Sequence, residues 1–488
     1  MSVSPTLSQY LDSQCPLPLV KRLPWSFVSP LEAYERLASP PYSFLLESVK
    51  GTSSIGRYSF VGTEPFLVLK SKGTRVELQQ GGKKQVLEGE NPIRIFKDLM
   101  KRFAVPRPKG IPPFFGGAVG FLSYDLVHFF EELPSAAVDD LKCPDLCMLF
   151  VDTLAVFDHA EQMVWLIHCP RGDRFYHEDR RALYEAGLER IAAMEQRLAR
   201  PILRRPPMAR RSRKNAPCSN FTKDQFMKIV RTCKEYIAAG DIYQANLSQR
   251  LMLEADPDPW LLYQALRRIN PSPFSGCLAF DDLCLVSASP ERLVRLQEGV
   301  VETRPIAGTR PRGGTTRMDE EMREILLANE KERAEHIMLV DLERNDLGRV
   351  CKYGSVKVNE LMITEQYSHV IHIVSNIQGI LADEKNCFDV IRAVFPGGTI
   401  TGVPKVRCME IISELEPVCR GPYSGSIGYI SYSGEMDLNI VIRTFVIQKE
   451  RVFIQVGAGI VADSDPEREY QETLYKAEAL LAAVQAVA

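Results

Sequence analysis

The sequence predicts an α+β fold built on antiparallel strands, and two observations predict it. In the first half, short segments alternate apolar and polar residues with a period of two: YSFLLESV, GRYSFVG, FLVLKSK, TRVELQQ and, later, MVWLIHC. After residue 216, helix-like and strand-like blocks mix without the regular alternation that a doubly wound parallel sheet needs.

Taken in order, the early strands are separated by turns such as the Gly-Gly pair at 81–82. The glycine cluster FFGGAVGFLSYDL, at 114–126, lacks the GK[ST] ending of a phosphate loop, so close backbone packing is its expected role. Residues 174–199 have helical spacing and close the first half. Residues 199–216, ARPILRRPPMARRSRKNA, are rich in Pro and Arg without apolar periodicity. Because the rest of the chain is not basic, they read as a solvated linker and not as a nucleic-acid arm. The expected organisation is thus an N-terminal region at 1–198, a linker at 199–217 and a catalytic region at 218–488. Beyond the linker, NFTKDQFMKIVRTCKEYIAAG is helical and stops at Gly240, a C-terminal cap. DEEMREILLANEKERAEHIMLVDLERNDLG reads as one long helix ending at Gly348. Strands are expected in CLAFDDLCLVSAS, GSIGYISY, NIVIRTFVIQ and RVFIQVGAG. The last helix runs from Asp465, its cap, with Pro466 in the first turn, to Ala488.

Composition narrows the class. The 488 residues are 45% hydrophobic and 25% charged, as in ordinary globular proteins. A net charge of −2 gives no field that favours nucleic acid or a membrane surface. Twelve scattered cysteines point to reduced thiols, and the Cys143/Cys147 pair lacks zinc-ligand neighbours. No signal peptide and no apolar run of about 18 residues is evident, so a cytoplasmic, soluble chain is expected.

Several polar residues in the second half could carry chemistry. Glu335 lies beside the apolar stretch IMLV, where a rim position is the ordinary reading. Glu472 and Lys476 are four apart on the final helix, the spacing of a surface ion pair. His372 alternates with β-branched neighbours, as a core histidine does. Arg443 falls in an otherwise apolar strand, and a buried guanidinium needs an anionic partner that this strand does not supply. Gly457 and Gly459, in the GAG at the end of a strand, let backbone N–H groups approach a carboxylate. The set suits a small dianion held partly through a divalent cation, with carboxylates as the hard ligands Mg²⁺ prefers.

The motifs SPERLV, TRPIAGTRPRG, EHIMLVDLERNDLGR, HVIHIVS, FPGGTITGVPKVRCMEII, RGPYSGSIGYI, VIRTF and QVGAGIVADSDPEREYQETLYKA appear in this order over most of 220–485. In this the chain resembles the chorismate-utilising enzymes, above all the synthase subunits of anthranilate synthase and aminodeoxychorismate synthase, with isochorismate and salicylate synthases as relatives. SFLLESVKG, GRYSFVG and FFGGAVGFLSYDL resemble the N-terminal region of the two aminating enzymes more loosely. The resemblance implies antiparallel sheets in a sandwich flanked by helices. It implies that Glu335 and Glu472 bind Mg²⁺, which holds the ring carboxylate of chorismate, with Thr399 and the backbone at Gly459 completing that site. Tyr423, Arg443 and the backbone at Gly457 would hold the enolpyruvyl carboxylate, and Lys476 would add positive charge. Glu291 would protonate the departing 4-hydroxyl, a role that burial equips a Glu for. His372 would lie against the ring.

The resemblance also sorts the reactions. Isochorismate and salicylate synthases place a lysine, the base for water, where this chain has Gln244, so amination is implied. The chain has no G-x-C-x-G elbow, which implies a separate class I glutamine amidotransferase subunit supplying ammonia. DIYQANLSQR, FPGGTITG, GPYSGSIGYI and MDLNIVIRT look like aminodeoxychorismate synthase, and 4-amino-4-deoxychorismate is the expected product. Ala307 and YSHVIHIVS look like anthranilate synthase, the alternative, and Ala307 closes the covalent route that a lysine there would offer. A catalytically silent binding subunit has no need of so complete a charged site. Ser48 in LLES, with Asn270 and Pro271 in NPSPF, resembles the family's tryptophan pocket; a buried strand is the plain alternative.

Overall fold

Among the described residues, two twelve-stranded antiparallel sheets organise the fold. The computed structural model describes residues 3–49, 56–134, 136–201, 216–312, 315–366 and 370–487. Most of the expected linker, 202–215, lies outside the described residues, as do Gly313 of TRPRG, the Gly314 that follows it, and 367–369 of YSHV.

Each sheet draws on both halves of the sequence. In the first, strand Tyr42–Glu47 pairs with Phe274–Phe280. In the second, Gly117–Leu122 pairs with Ser426–Ser431. The inner faces meet through apolar side chains at alternate positions, as the period-two pattern requires. Phe121 and Phe280 touch edge to face at 5.1 Å, and Phe60 and Tyr429 at 5.2 Å. Burial of each such ring stabilises the fold by about 1.5–3 kcal/mol. Helices Pro30–Leu37, Arg180–Ala199, Pro259–Ile269 and Pro466–Gln485 cover the outer face of the first sheet with a second apolar cluster. The result is an α+β sandwich flanked by helices.

Local expectations hold in several places. Helix Lys223–Ala239 ends at Gly240, whose φ of 85° is the left-handed cap conformation. Asp465 caps the final helix by accepting from Glu467 and Arg468 N–H groups. In the glycine cluster, a Cβ on Gly117 would strike the carbonyl of Ile430, and one on Gly120 that of Cys147. Close backbone packing is therefore its role. All twelve cysteines are free. Among the described residues, no helix is long and apolar enough to cross a membrane.

Two expectations are corrected. The long helix is two, Thr316–Ala328 and Glu330–Gly348. Asn329 between them leaves helical geometry (ψ 107°) and its side chain accepts from the Glu332 N–H, so it ends one helix by capping the next. NIVIRTFVIQ is likewise not one strand. Met436–Asn439 belongs to the second sheet and Thr444–Gln448 to the first, and 440–443 cross between them. Arg443 sits at the end of this crossing with a φ of 50°, a backbone state uncommon for a residue with a side chain. An unbroken apolar run cannot reveal that a chain changes sheets.

Candidate active site

A second crossing runs beside the first. Strand Leu283–Ser289 lies in the first sheet and Arg292–Gln297 in the second, with Pro290 and Glu291 between them. The Ile440 N–H donates to the Glu291 carbonyl at 3.0 Å, and the Ala288 N–H to the Arg443 carbonyl at 3.1 Å. Glu291 and Arg443 are thus brought together from 152 positions apart by two antiparallel crossings.

Desolvation acts on both side chains. The Glu291 carboxyl is buried, and desolvation pushes it up to about 7, only partly offset by the neighbouring Thr399 hydroxyl and by the Ile306 N–H at 3.4 Å. It can therefore hold a transferable proton near neutral pH. Arg443 has no carboxylate partner among the described residues, and desolvation alone lowers its affinity for its proton. By contrast Arg420, more deeply buried than the half-buried Arg443, is fully bonded to Glu416 and to three further acceptors. An unpaired, desolvated guanidinium is an anion site.

His372 lies on strand Val370–Ile380 of the second sheet. Its Nδ1–H donates to the Gly308 carbonyl at 3.2 Å, and burial, with the Arg443 charge, brings its pKa down to about 4. The ring is neutral at physiological pH. Ala307, beside Gly308 and paired with Ile373, contributes only a methyl group. Helix Glu330–Gly348 packs on these strands and carries Glu335, half-buried. Its neighbour His336 is fully buried and bonds Ser375 at 2.6 Å, which fixes the helix in place.

The opposite wall comes from the first sheet. Strands Gln244–Glu254 and Arg451–Ile460 pair so that Asn246 faces Gly459 and Ser248 faces Gly457. A Cβ at Gly457 would stand 2.6 Å from the Tyr423 hydroxyl, and one at Gly459 would stand 2.7 Å from Gln244 Nε2. The two glycines make room for these polar tips. Burial pushes the Tyr423 phenol up to about 12, so it remains a donor. The final helix lays Lys476 over this strand: its Nζ donates to the Gly457 carbonyl at 2.9 Å and pairs with Glu472 at 2.8 Å. Thr399 sits in the turn Gly398–Ile400, its hydroxyl buried and, among the described residues, without a hydrogen bond of good geometry.

Two buried polar residues here went unread in the sequence. Asn246, two residues beyond Gln244, points its Oδ1 at the space over Gly457. Glu343, buried, is held well above the usual carboxylate range by desolvation and feels the Glu291 charge. Polar alternation in QAN was the one available signal for Asn246; nothing marked Glu343 among the other acids of DLERND.

A separate, partly open cavity lies between the sheets, lined from both halves of the sequence by Ser48, Phe60, Phe274, Tyr429 and Asn439 among others. Pro273 lines it, whereas Asn270 and Pro271 stand outside its wall.

A buried carboxylic acid that keeps its proton and a guanidinium without a carboxylate partner among the described residues thus lie on adjacent crossings of this α+β fold. The chain belongs to the family of chorismate binding enzymes, whose model matches residues 24–482. It is 43% identical over 463 residues to anthranilate synthase component 1 of Acetivibrio thermocellus, covering 94% of this chain and 93% of that one. It is 44% identical over 474 residues to aminodeoxychorismate synthase component 1 of Bacillus subtilis, covering 96% and 97%. The crystal structure of anthranilate synthase component I from Streptococcus pneumoniae superimposes with a TM-score of 0.76 at 33% identity, covering 94% of this chain and 99% of that one. The resemblance carried by the second-half motifs is borne out.

Two outcomes follow from the electrostatics. Arg443→Met removes an uncompensated charge, so the ligand-free protein should melt about one to two degrees higher while chorismate binding by calorimetry weakens at least about tenfold. A lower melting point with unchanged binding would show that the guanidinium serves the fold. For Glu291, the folded chain keeps a proton up to about pH 7 that the unfolded chain loses in the ordinary carboxylic range. The folded state binds more protons in between, so this group's contribution to stability falls as pH rises from about 4.5 to about 7. Denaturation midpoints of Glu291→Gln should be flatter than wild type across that window; parallel curves would contradict the raised pKa.

Proposed function

We propose that this enzyme aminates chorismate to 4-amino-4-deoxychorismate, the precursor of 4-aminobenzoate in folate biosynthesis. The observation that carries amination is Gln244. Where relatives that add water resemble this chain but carry a lysine, this site presents an amide, which cannot act as a base. Its Oε1 is buried and unpartnered among the described residues.

Each site residue then has a task. Arg443, the Tyr423 hydroxyl and the Gly457 backbone hold the enolpyruvyl carboxylate, and Lys476 adds charge beside it. Glu291 gives its proton to the 4-hydroxyl, so that the C–O electron pair leaves as water and not as hydroxide. The nitrogen lone pair forms the new C–N bond, and the balance is chorismate plus ammonia to aminodeoxychorismate plus water. Neutral His372 lies against the ring and assists around loss of the hydroxyl. Mg²⁺ fits the donor set. Among the described residues no three acidic, His or Cys side chains form a closed metal site, and Mg²⁺ accepts one or two protein carboxylates with substrate and water completing its shell. Glu335 and Glu472 would hold it, with Thr399 and the Gly459 backbone alongside, and when bound it supplies positive charge for the ring carboxylate. With Ala307 in place of a lysine, ammonia attacks without a covalent intermediate at that position.

Ammonia comes from a separate class I glutamine amidotransferase subunit. The chain has no glutaminase elbow, and the curated relatives are named as component 1. The second reading is anthranilate with release of pyruvate, favoured by Ala307. The cavity at Ser48 is walled by aromatic rings and carries a buried hydroxyl without a partner among the described residues, which suits tryptophan as a feedback ligand. Asn439 on its wall is next to Ile440, bonded to Glu291, so a ligand there would bear on the crossing that holds the proton donor.

Two measurements test these readings. Purified enzyme with chorismate, Mg²⁺ and ammonium should yield 4-aminobenzoate only after addition of aminodeoxychorismate lyase; anthranilate and pyruvate without the lyase would select the second reading. Tryptophan should raise the melting temperature and slow turnover, and Ser48→Ala should abolish both effects. A melting temperature and rate indifferent to tryptophan remove the regulatory role.

A further inference from the structure

Two amide oxygens in the cleft lack a donor. Gln244 Oε1 and Asn246 Oδ1 are both buried and unpartnered among the described residues. They stand two apart on strand Gln244–Glu254 and so share one face. A Cβ on Gly457 would lie 2.5 Å from Asn246 Oδ1, and one on Gly459 would lie 2.7 Å from Gln244 Nε2, so both amides reach into the space the glycines leave. The Asn246 backbone is pinned, its N–H donating to the Thr401 carbonyl at 2.8 Å and its carbonyl accepting from Arg420 Nη2 at 2.6 Å. Its side chain is left facing the cleft.

A buried acceptor without a donor destabilises the protein, so its donor comes from what binds. The carboxylates of the substrate cannot serve, because they are acceptors themselves, and its 4-hydroxyl is engaged by Glu291 in the reading above. Ammonia has three N–H donors and one lone pair. The geometry points to Asn246 as a second residue, beside Gln244, that accepts an N–H of the incoming ammonia and turns its lone pair towards the ring. This inference rests on the amination reading. As the C–N bond forms, the C–O electron pair departs with the hydroxyl, which takes the Glu291 proton and leaves as water. The nitrogen becomes cationic beside the Asn246 carbonyl dipole, which already faces the cleft, then returns one proton to the Glu291 carboxylate. Water gains less from such a pair, because amides cannot remove the proton it must lose.

The test is Asn246→Leu, which keeps the bulk and removes the acceptor. The ammonia KM, measured at saturating chorismate, should rise about tenfold, the loss expected for one hydrogen bond. Chorismate Kd, measured by calorimetry without ammonium, should stay within about twofold. Asn246→Asp keeps an acceptor in place and should hold the ammonia KM within about threefold of wild type, its added charge weakening chorismate binding instead. If Asn246→Leu does not fold, as judged by circular dichroism, Asn246→Ala gives the same comparison. A wild-type ammonia KM in the acceptor-less variant overturns the inference, as does a weakened chorismate Kd with ammonia KM unchanged. Wild-type enzyme that never consumes chorismate with ammonium overturns the amination reading and this inference together.

Discussion

Glu416 and Arg420, 4% and 2% exposed, form the ion pair on which the arrangement of the cleft depends. Glu416 Oε1 accepts from the Ser248 N–H and hydroxyl and from Arg420 Nη2, and Oε2 accepts from Arg420 Nε. Arg420 reaches on to the carbonyls of Ile400 and Asn246 and to the Ser424 hydroxyl. One pair thereby ties the turn that carries Thr399, the strand that carries Gln244 and Asn246, and the segment that carries Tyr423. A buried ion pair is weak evidence for net stability, because desolvating both charges costs several kcal/mol per ion. What it supplies is position: breaking it would leave a charge with no water and no partner, so these segments have one low-energy arrangement.

Arg443 is the counterpart. Arg420 has every bond it can use, whereas Arg443 has burial without a carboxylate. The same side chain type is structural at Arg420, where the fold completes its hydrogen bonds, and receptive at the half-buried Arg443, where the fold withholds them. Its left-handed backbone fits this account, since sparsely populated conformations persist at sites where surrounding structure over-determines them. The neighbouring Glu291 is likewise held in a state that water would not favour. Both lie on crossings between the sheets, where side chains are buried but backbone bonding is irregular.

Most of the secondary structure was legible because alternation and capping are local. The strands between 42 and 80, the helix ending at Gly240 and the Asp465 cap all follow from neighbours within a few residues. The failures share a cause. Asn329 looked like a residue inside a helix, because its capping bond to Glu332 depends on a backbone turn that composition does not encode. Arg443 looked like a strand residue, because the apolar pattern continues on both sides of the sheet change. Glu416 and Arg420 have the four-residue spacing of a surface pair, and only the covering sheets make them the centre of the fold.

By itself, the sequence determined which residue types carry the chemistry and in what order. An arginine among apolar neighbours, paired glycines at a strand end and a run of motifs were enough to point to an anionic substrate and a family. Tertiary structure decided which polar atoms remain unsatisfied. Burial and partnership are properties of surroundings assembled from distant segments, so the proton retained by Glu291, the bare charge of Arg443 and the open acceptors of Gln244 and Asn246 exist only once the two sheets have closed around them.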